Sequence, residues 1–164
     1  MRLILTVSLL GALLALPAAP AVAGEAVDIE LVLAVDTSLS VDPAEFTLQR
    51  QGLATAFRDP EVQAAVAANV RGVAVDVMLW AGKREQVQAI GWKRLVNTAD
   101  CMRLAAAIDG LVVDRRLFQG KTAIGNALRA ASHALAGNSF DGTLAKIDVS
   151  GDGRANEGLR PDLL

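Results

Sequence analysis

The sequence predicts an α/β domain, an open and mostly parallel sheet flanked by helices. Three observations carry that expectation. Apolar, strand-like runs alternate along the chain with stretches of helical periodicity. The first run, VDIELVLAV at Val27–Val35, alternates at its start and is continuously apolar at its end, as suits a central strand buried on both faces. The length, 164 residues, fits one domain.

Residues 1–23 are set apart from that domain. Met1-Arg2 gives a positive start, Leu3 to Leu16 is apolar apart from Thr6, Ser8 and Gly11, and Pro17 breaks the run. Ala21-Val22-Ala23 then supplies an A-x-A cleavage signal. The expectation is a signal peptide over 1–23, a domain over 24–164, and export to the periplasm or beyond. The apolar run is short for a membrane span, which needs about 20 residues. No membrane partner is expected after cleavage.

The elements follow in order. After the first strand, Asp42-Pro43-Ala44-Glu45 reads as a helix start, with Asp42 as N-cap, Pro43 at the first helical position and Glu45 closing a capping box. Phe46, Leu53 and Phe57 keep helical spacing up to about Arg58, and Asp59-Pro60 ends the helix. Val62–Val70 is a weaker helical stretch. Gly72–Ala81, GVAVDVMLWA, reads as a second strand, and Glu85–Trp92 as a third that pairs with it across a turn at Gly82-Lys83. Asn97 or Thr98 caps a helix carrying Cys101, Leu104, Ile108 and Leu111 on one face. A loop ends in Gly120-Lys121-Thr122, and the next helix places Ile124, Leu128, Ala131 and Leu135 inward. Leu144–Val149 is the fourth strand and opens into SGDGRANEG.

Charge and cysteine content exclude several function classes. The formal net charge is −2, and loss of Arg2 with the leader takes it to −3. That balance offers no basic footprint for nucleic acid or an anionic membrane. Cys101 is the single cysteine, so the chain has no internal disulfide, and its helical setting predicts a small buried hydrophobe.

Three short motifs invite chemistry and fall short of it. Gly120-Lys121-Thr122 would suit a phosphate loop, but Arg115 stands where that loop needs its first glycine, and no strand leads into it. DVSGDG at 148–153 resembles the opening of a calcium loop, yet Leu159 occupies the place of the closing glutamate. His133 lies beside apolar helical positions with no ligand-type residue at matching spacing. Pairing it with Cys101 as base and nucleophile finds no support in the spacing.

The strongest constellation is made of oxygens. Asp36, Ser38 and Ser40 follow the first strand, Thr122 precedes the helix leading to the fourth, and Asp152 follows the fourth. Ligands of open α/β sheets bind beyond the carboxyl ends of the strands. If the first and fourth strands are neighbours, these three segments open on one edge. Two carboxylates and three hydroxyls are hard donors, suited to Mg²⁺ first and to Mn²⁺ or Ca²⁺. They leave room for a partner's carboxylate as a last ligand.

D-T-S-L-S at 36–40, Thr122 in GKTAIGNAL and Asp152 in VSGDG together resemble the metal-ion-dependent adhesion site of von Willebrand factor type A domains, a Rossmann-like fold. The chain is similar in particular to exported bacterial proteins with such domains and no established function, over about Val27 to Gly158. The resemblance implies Ser38, Ser40 and Thr122 as hydroxyl ligands, with Asp36 and Asp152 binding directly or through water. It implies a non-enzymatic binding module that captures an acidic group of a partner protein. The alternatives are a metal-dependent hydrolase and a vestigial domain without a working site. Leu39 and Lys121 stand where relatives carry glycine. Leu39 is expected to stiffen or crowd its loop, and Lys121 to bring positive charge near the ion. Domains of this type continue through further strands and helices after the second aspartate, so the C-terminal part is expected to be missing and the fourth strand to be an open edge.

Overall fold

The computed structural model describes residues 24–114, 118 and 120–163. The expected signal peptide and Arg115 lie outside the described residues. A four-stranded sheet has the order β3-β2-β1-β4, with β1 (Glu25–Asp36), β2 (Val73–Trp80), β3 (Gln86–Leu95) and β4 (Phe140–Ser150). β1 runs parallel to both β2 and β4, and β3 is antiparallel to β2. The expected fold class is therefore the observed one, and β1 and β4 are neighbours. The chain passes from β1 to β2 on one side, while β4, reached from β3, lies on the other side of β1, so the strand order switches between β1 and β4 at their carboxyl ends.

Alternation along the strands assigns the two faces. Leu33, Val35, Val75, Val77 and Leu79 meet α1 (Pro43–Arg58) and α3 (Thr98–Asp109) through Phe46, Phe57, Cys101, Leu104 and Ile108. Val32, Ala34, Met78 and Trp80 meet α4 (Ile124–Ala136) through Ala127 and Ala131. Cys101 is thus buried, as its helical spacing predicted, and lies across the sheet from the exposed His133. A base–nucleophile pair between them is ruled out by that separation.

The helix starts follow their capping chemistry. Asp42 Oδ1 accepts from the N–H groups of Ala44 at 2.7 Å and Glu45 at 2.8 Å, while Glu45 Oε2 accepts from the Asp42 N–H at 2.8 Å. Both halves of the capping box are therefore made. Asp59 makes the side-chain half alone for α2 (Pro60–Ala67), accepting from the Glu61 N–H at 2.7 Å with Pro60 at the first position. Asp42→Ala is expected to cost about 1 kcal/mol, read as a lower urea midpoint at unchanged slope. A loss under about 0.3 kcal/mol would contradict the capping role.

Several boundaries differ from those expected. β1 reaches Asp36, β3 continues to Leu95, and β4 begins at Phe140 rather than Leu144. The polar start of β4, FDGT, shows no apolar pattern. Its ordering comes from pairing with Glu25–Val27 and from Glu30, whose buried carboxylate accepts from Gly142 N–H at 2.6 Å. β4 pairs on one side only among the described residues. Leu128 is half-buried and belongs to neither apolar cluster on the α4 face, whereas Ala127 is fully buried there. The contact stripe of α4 is thus set by small residues that let it lie close to the sheet.

Candidate metal centre

Asp36 closes β1 and is fully buried beside Thr37 and Ser38. Its register partner on β2 is Trp80, whose carbonyl accepts from the Thr37 N–H at 2.8 Å and the Thr37 hydroxyl at 3.0 Å. These bonds fix the direction in which the chain leaves the strand. Asp36 Oδ1 accepts from the Ser38 N–H at 2.7 Å. The hydroxyls of Ser38 and Ser40 lie 3.0 Å apart, and Ser40 Oγ donates to Asp152 Oδ1 at 3.1 Å. A continuous polar chain therefore runs from Asp36 through both serines to Asp152, across 112 residues of sequence at its last step.

Thr122 completes the cluster from the second loop. It is buried at 4% exposure, and a Cβ placed on Gly153 would lie 3.8 Å from its Oγ1. Asp152 and Thr122 thus flank one spot at the strand edge. Asp36 Oδ2 is buried without a hydrogen-bond partner. A Cβ on Gly151 would come within 3.1 Å of that oxygen, so glycine there leaves the approach to it clear. Burial pushes the Asp36 carboxyl above its ordinary pKa, the Ser38 N–H and hydroxyl oppose that rise, and the charge of Asp152 adds to it. A buried carboxylate oxygen with no donor is the position a cation would satisfy.

All five expected residues, Asp36, Ser38, Ser40, Thr122 and Asp152, come to this one edge. No group of three His, Cys, Asp or Glu suited to a metal occurs among the described residues. The oxygen set here counts two carboxylates, and hydroxyls make up the rest. Leu39 does not crowd the loop. It is 66% exposed, and its N–H donates to the Gly120 carbonyl at 3.4 Å. Lys121 is exposed beside Thr122.

Residues 26–163 match the family described as Protein of unknown function (DUF1194). The chain belongs to that family. No curated protein matches it. Among solved structures, this DUF1194 chain is similar to proximal thread matrix protein 1 from the mussel byssus, with a TM-score of 0.59 and 19% identity over 84% of this chain and 34% of that one. It is similar to the PilB minor pilin from Streptococcus sanguinis, with a TM-score of 0.56 and 17% identity over 82% and 31%. A further match is the vWF domain of the type V pili tip protein Mfa5 from Porphyromonas gingivalis, at 17% identity and TM-score 0.49 over 79% and 39%. This DUF1194 chain spans about a third of the length of each of these proteins. Its fold is the one it shares with the byssal matrix protein and the minor pilin, an open α/β sheet flanked by helices, as the sequence predicted.

Sequence reasoning missed four polar residues around the site. Glu85 Oε2 accepts from the Gly82 N–H at 3.1 Å and the Gly120 N–H at 2.7 Å, joining the β2–β3 turn to the Thr122 loop. Asn126 donates to the Lys83 carbonyl at 3.0 Å and accepts from the Leu159 N–H at 2.8 Å. Asn156 brackets Thr122. Asp76 lies farther down β2, fully buried, with Gln88 Nε2 donating to its Oδ1 at 2.5 Å and Oδ2 unpartnered. Burial raises its pKa despite that hydrogen bond. Only Asp76 carried a legible signal, a charge in the middle of an apolar strand.

Proposed function

We propose that this chain is an exported, non-enzymatic protein-binding module of the adhesion type. It holds a divalent cation, Mg²⁺ foremost, at Asp36, Ser38, Ser40, Thr122 and Asp152, and captures an exposed carboxylate of a partner protein. One observation carries the reading. Asp36 Oδ2 is buried and unpartnered at the head of a cluster of oxygens drawn from three loops. The bound ion would supply the positive charge that attracts the partner's carboxylate. The protein's own oxygens orient it. Asp36 and Asp152 contribute charge, and Ser38, Ser40 and Thr122 contribute neutral donors. Two carboxylates balance a divalent charge only formally, since the hydroxyls add none, and the exposed Lys121 further favours an acidic ligand.

Export rests on the leader-like residues 1–23. The similar structures include a minor pilin and a byssal thread matrix protein, settings compatible with a secreted binding role.

Titrating Mg²⁺ or Mn²⁺ into the purified chain is expected to raise its melting temperature. At 100 times Kd the gain is about 2.7 kcal/mol, or about 5–11 °C for a chain of this size. No shift in the wild type, or an equal shift in Asp36→Ala, would remove the cation from the reading. Cation-dependent turnover of phosphoesters or esters, lost in Asp152→Ala, would favour the hydrolase alternative instead.

A further inference from the structure

We infer that Asn156 is a positioning residue, which clamps the backbone of Thr122 from both sides and so fixes the Thr122 hydroxyl against the Asp152 loop. The inference rests on the cation reading for its consequence and on the geometry alone for the clamp. The Thr122 N–H donates to Asn156 Oδ1 at 2.9 Å, and the Asn156 N–H donates to the Thr122 carbonyl at 3.0 Å. Both backbone groups of one candidate ligand are thus satisfied by one residue of the segment that carries another. Asn156 lies four positions after Asp152.

The arrangement answers a mechanical need. α4 starts directly after Thr122 with Ala123 at its N-cap, which offers no side-chain cap. Asp152 is exposed, and Ser40 Oγ donates to it at 3.1 Å. The Thr122 loop is tied to the β2 edge by the Ala123 N–H donating to the Ala81 carbonyl at 3.0 Å and the Gly120 N–H donating to Glu85 Oε2 at 2.7 Å, and the clamp adds its tie to the Asp152 segment. The clamp makes the two loops one unit, so the distance between Thr122 and Asp152 no longer depends on two independent backbones.

The segment after Asp152 is itself pinned further along. The Lys83 N–H donates to Glu157 Oε2 at 3.1 Å, and the Leu159 N–H donates to Asn126 Oδ1 at 2.8 Å. Gly158 makes the turn between them at φ +78°, where a Cβ would come within 2.1 Å of Asn126 Oδ1. A residue that acts on a metal site through its ligands commonly affects affinity by about 10–100-fold.

The test uses the purified full chain, with MnCl₂ as the probe. Mn²⁺ affinity is measured by titration, and hydrogen exchange of the Thr122 amide is followed without metal. Asn156→Ala is expected to weaken Mn²⁺ binding about 10-fold or more and to speed Thr122 exchange. The metal-free melting temperature should move by less than about 3 °C, because one exposed clamp contributes little to global stability. Asn156→Asp keeps an acceptor oxygen for the Thr122 N–H and is expected to restore both readouts. Unchanged Thr122 exchange in Asn156→Ala overturns the inference, as does unchanged Mn²⁺ affinity. If the wild type takes up no Mn²⁺, the cation reading falls separately, and Thr122 exchange alone decides the clamp. Should Asn156→Ala fail to fold, Asn156→Ser takes its place with the same criteria.

Discussion

Replacing Trp80 with alanine is expected to destabilise the metal-free chain by about 3–5 kcal/mol. Trp80 is fully buried at the end of β2 and packs with Ala34 and Ala127, with Ile124 and Val149 at the edge of the cluster. Two of the residues it packs against are alanines, whose side chains are too short to reach into the space its ring leaves. The cavity then adds its own cost to the lost transfer free energy. A Cβ on Gly151 would sit 3.4 Å from the Trp80 ring, so that cavity would open directly beneath the oxygen cluster. Urea unfolding followed by circular dichroism measures the loss, with a lower midpoint at unchanged slope. The Trp80 indole N–H is buried with no hydrogen-bond partner. Trp80→Phe removes that donor while keeping an aromatic ring, and a smaller loss than for alanine is expected. A cost under about 1 kcal/mol for alanine would show that the α4 face closes over the gap.

Asp36→Asn is expected to reverse sign between metal-free and cation-bound conditions. Burial raises the Asp36 pKa in the fold above its ordinary value of 3.8. The stability linked to this group is then fully present below pH 3.8 and is lost as pH rises through the higher folded value. Once ionised, the Asp36 carboxylate is a buried charge that the fold disfavours. Asparagine stays neutral and keeps Oδ1 for the Ser38 N–H. In EDTA, the melting temperature of the wild type should therefore fall relative to Asp36→Asn as pH rises above 3.8. Asp76 shifts in the same direction but is present in both proteins and cancels in the difference. With saturating Mg²⁺ or Mn²⁺ the order inverts, because the wild type gains about 2.7 kcal/mol at 100 times Kd and the variant has lost the charge that draws the ion. Parallel pH curves in EDTA would contradict the burial effect. An equal cation response in both proteins would contradict the ligand role of Asp36.

These two residues show where sequence reasoning reached and where it stopped. Asp36 was legible because a carboxylate followed by two alternate serines at the end of an apolar run is unusual for a strand end. Trp80 was legible only as part of a buried strand. Its position under the site depends on the register that pairs it with Asp36, and register is set between strands. The first helix start was legible in full because its cap is local, as Asp42 shows, whereas Asp59-Pro60 was read only as a helix end although Asp59 also caps α2. The start of β4 was not, because FDGT is ordered by its neighbour β1 and by Glu30.

The sequence by itself determined the alternation of strands and helices, the capped helix starts and the three separate oxygen-bearing segments. Each is a matter of local periodicity or of side chains within a few residues of one another. Tertiary structure alone decided that β4 lies beside β1, that Ser40 reaches Asp152, that Asp36 Oδ2 is buried without a hydrogen-bond partner and that Asn156 grips Thr122. The physical reason is distance along the chain. Those contacts join residues up to 115 positions apart, and strand order and packing, which no local pattern encodes, bring them together.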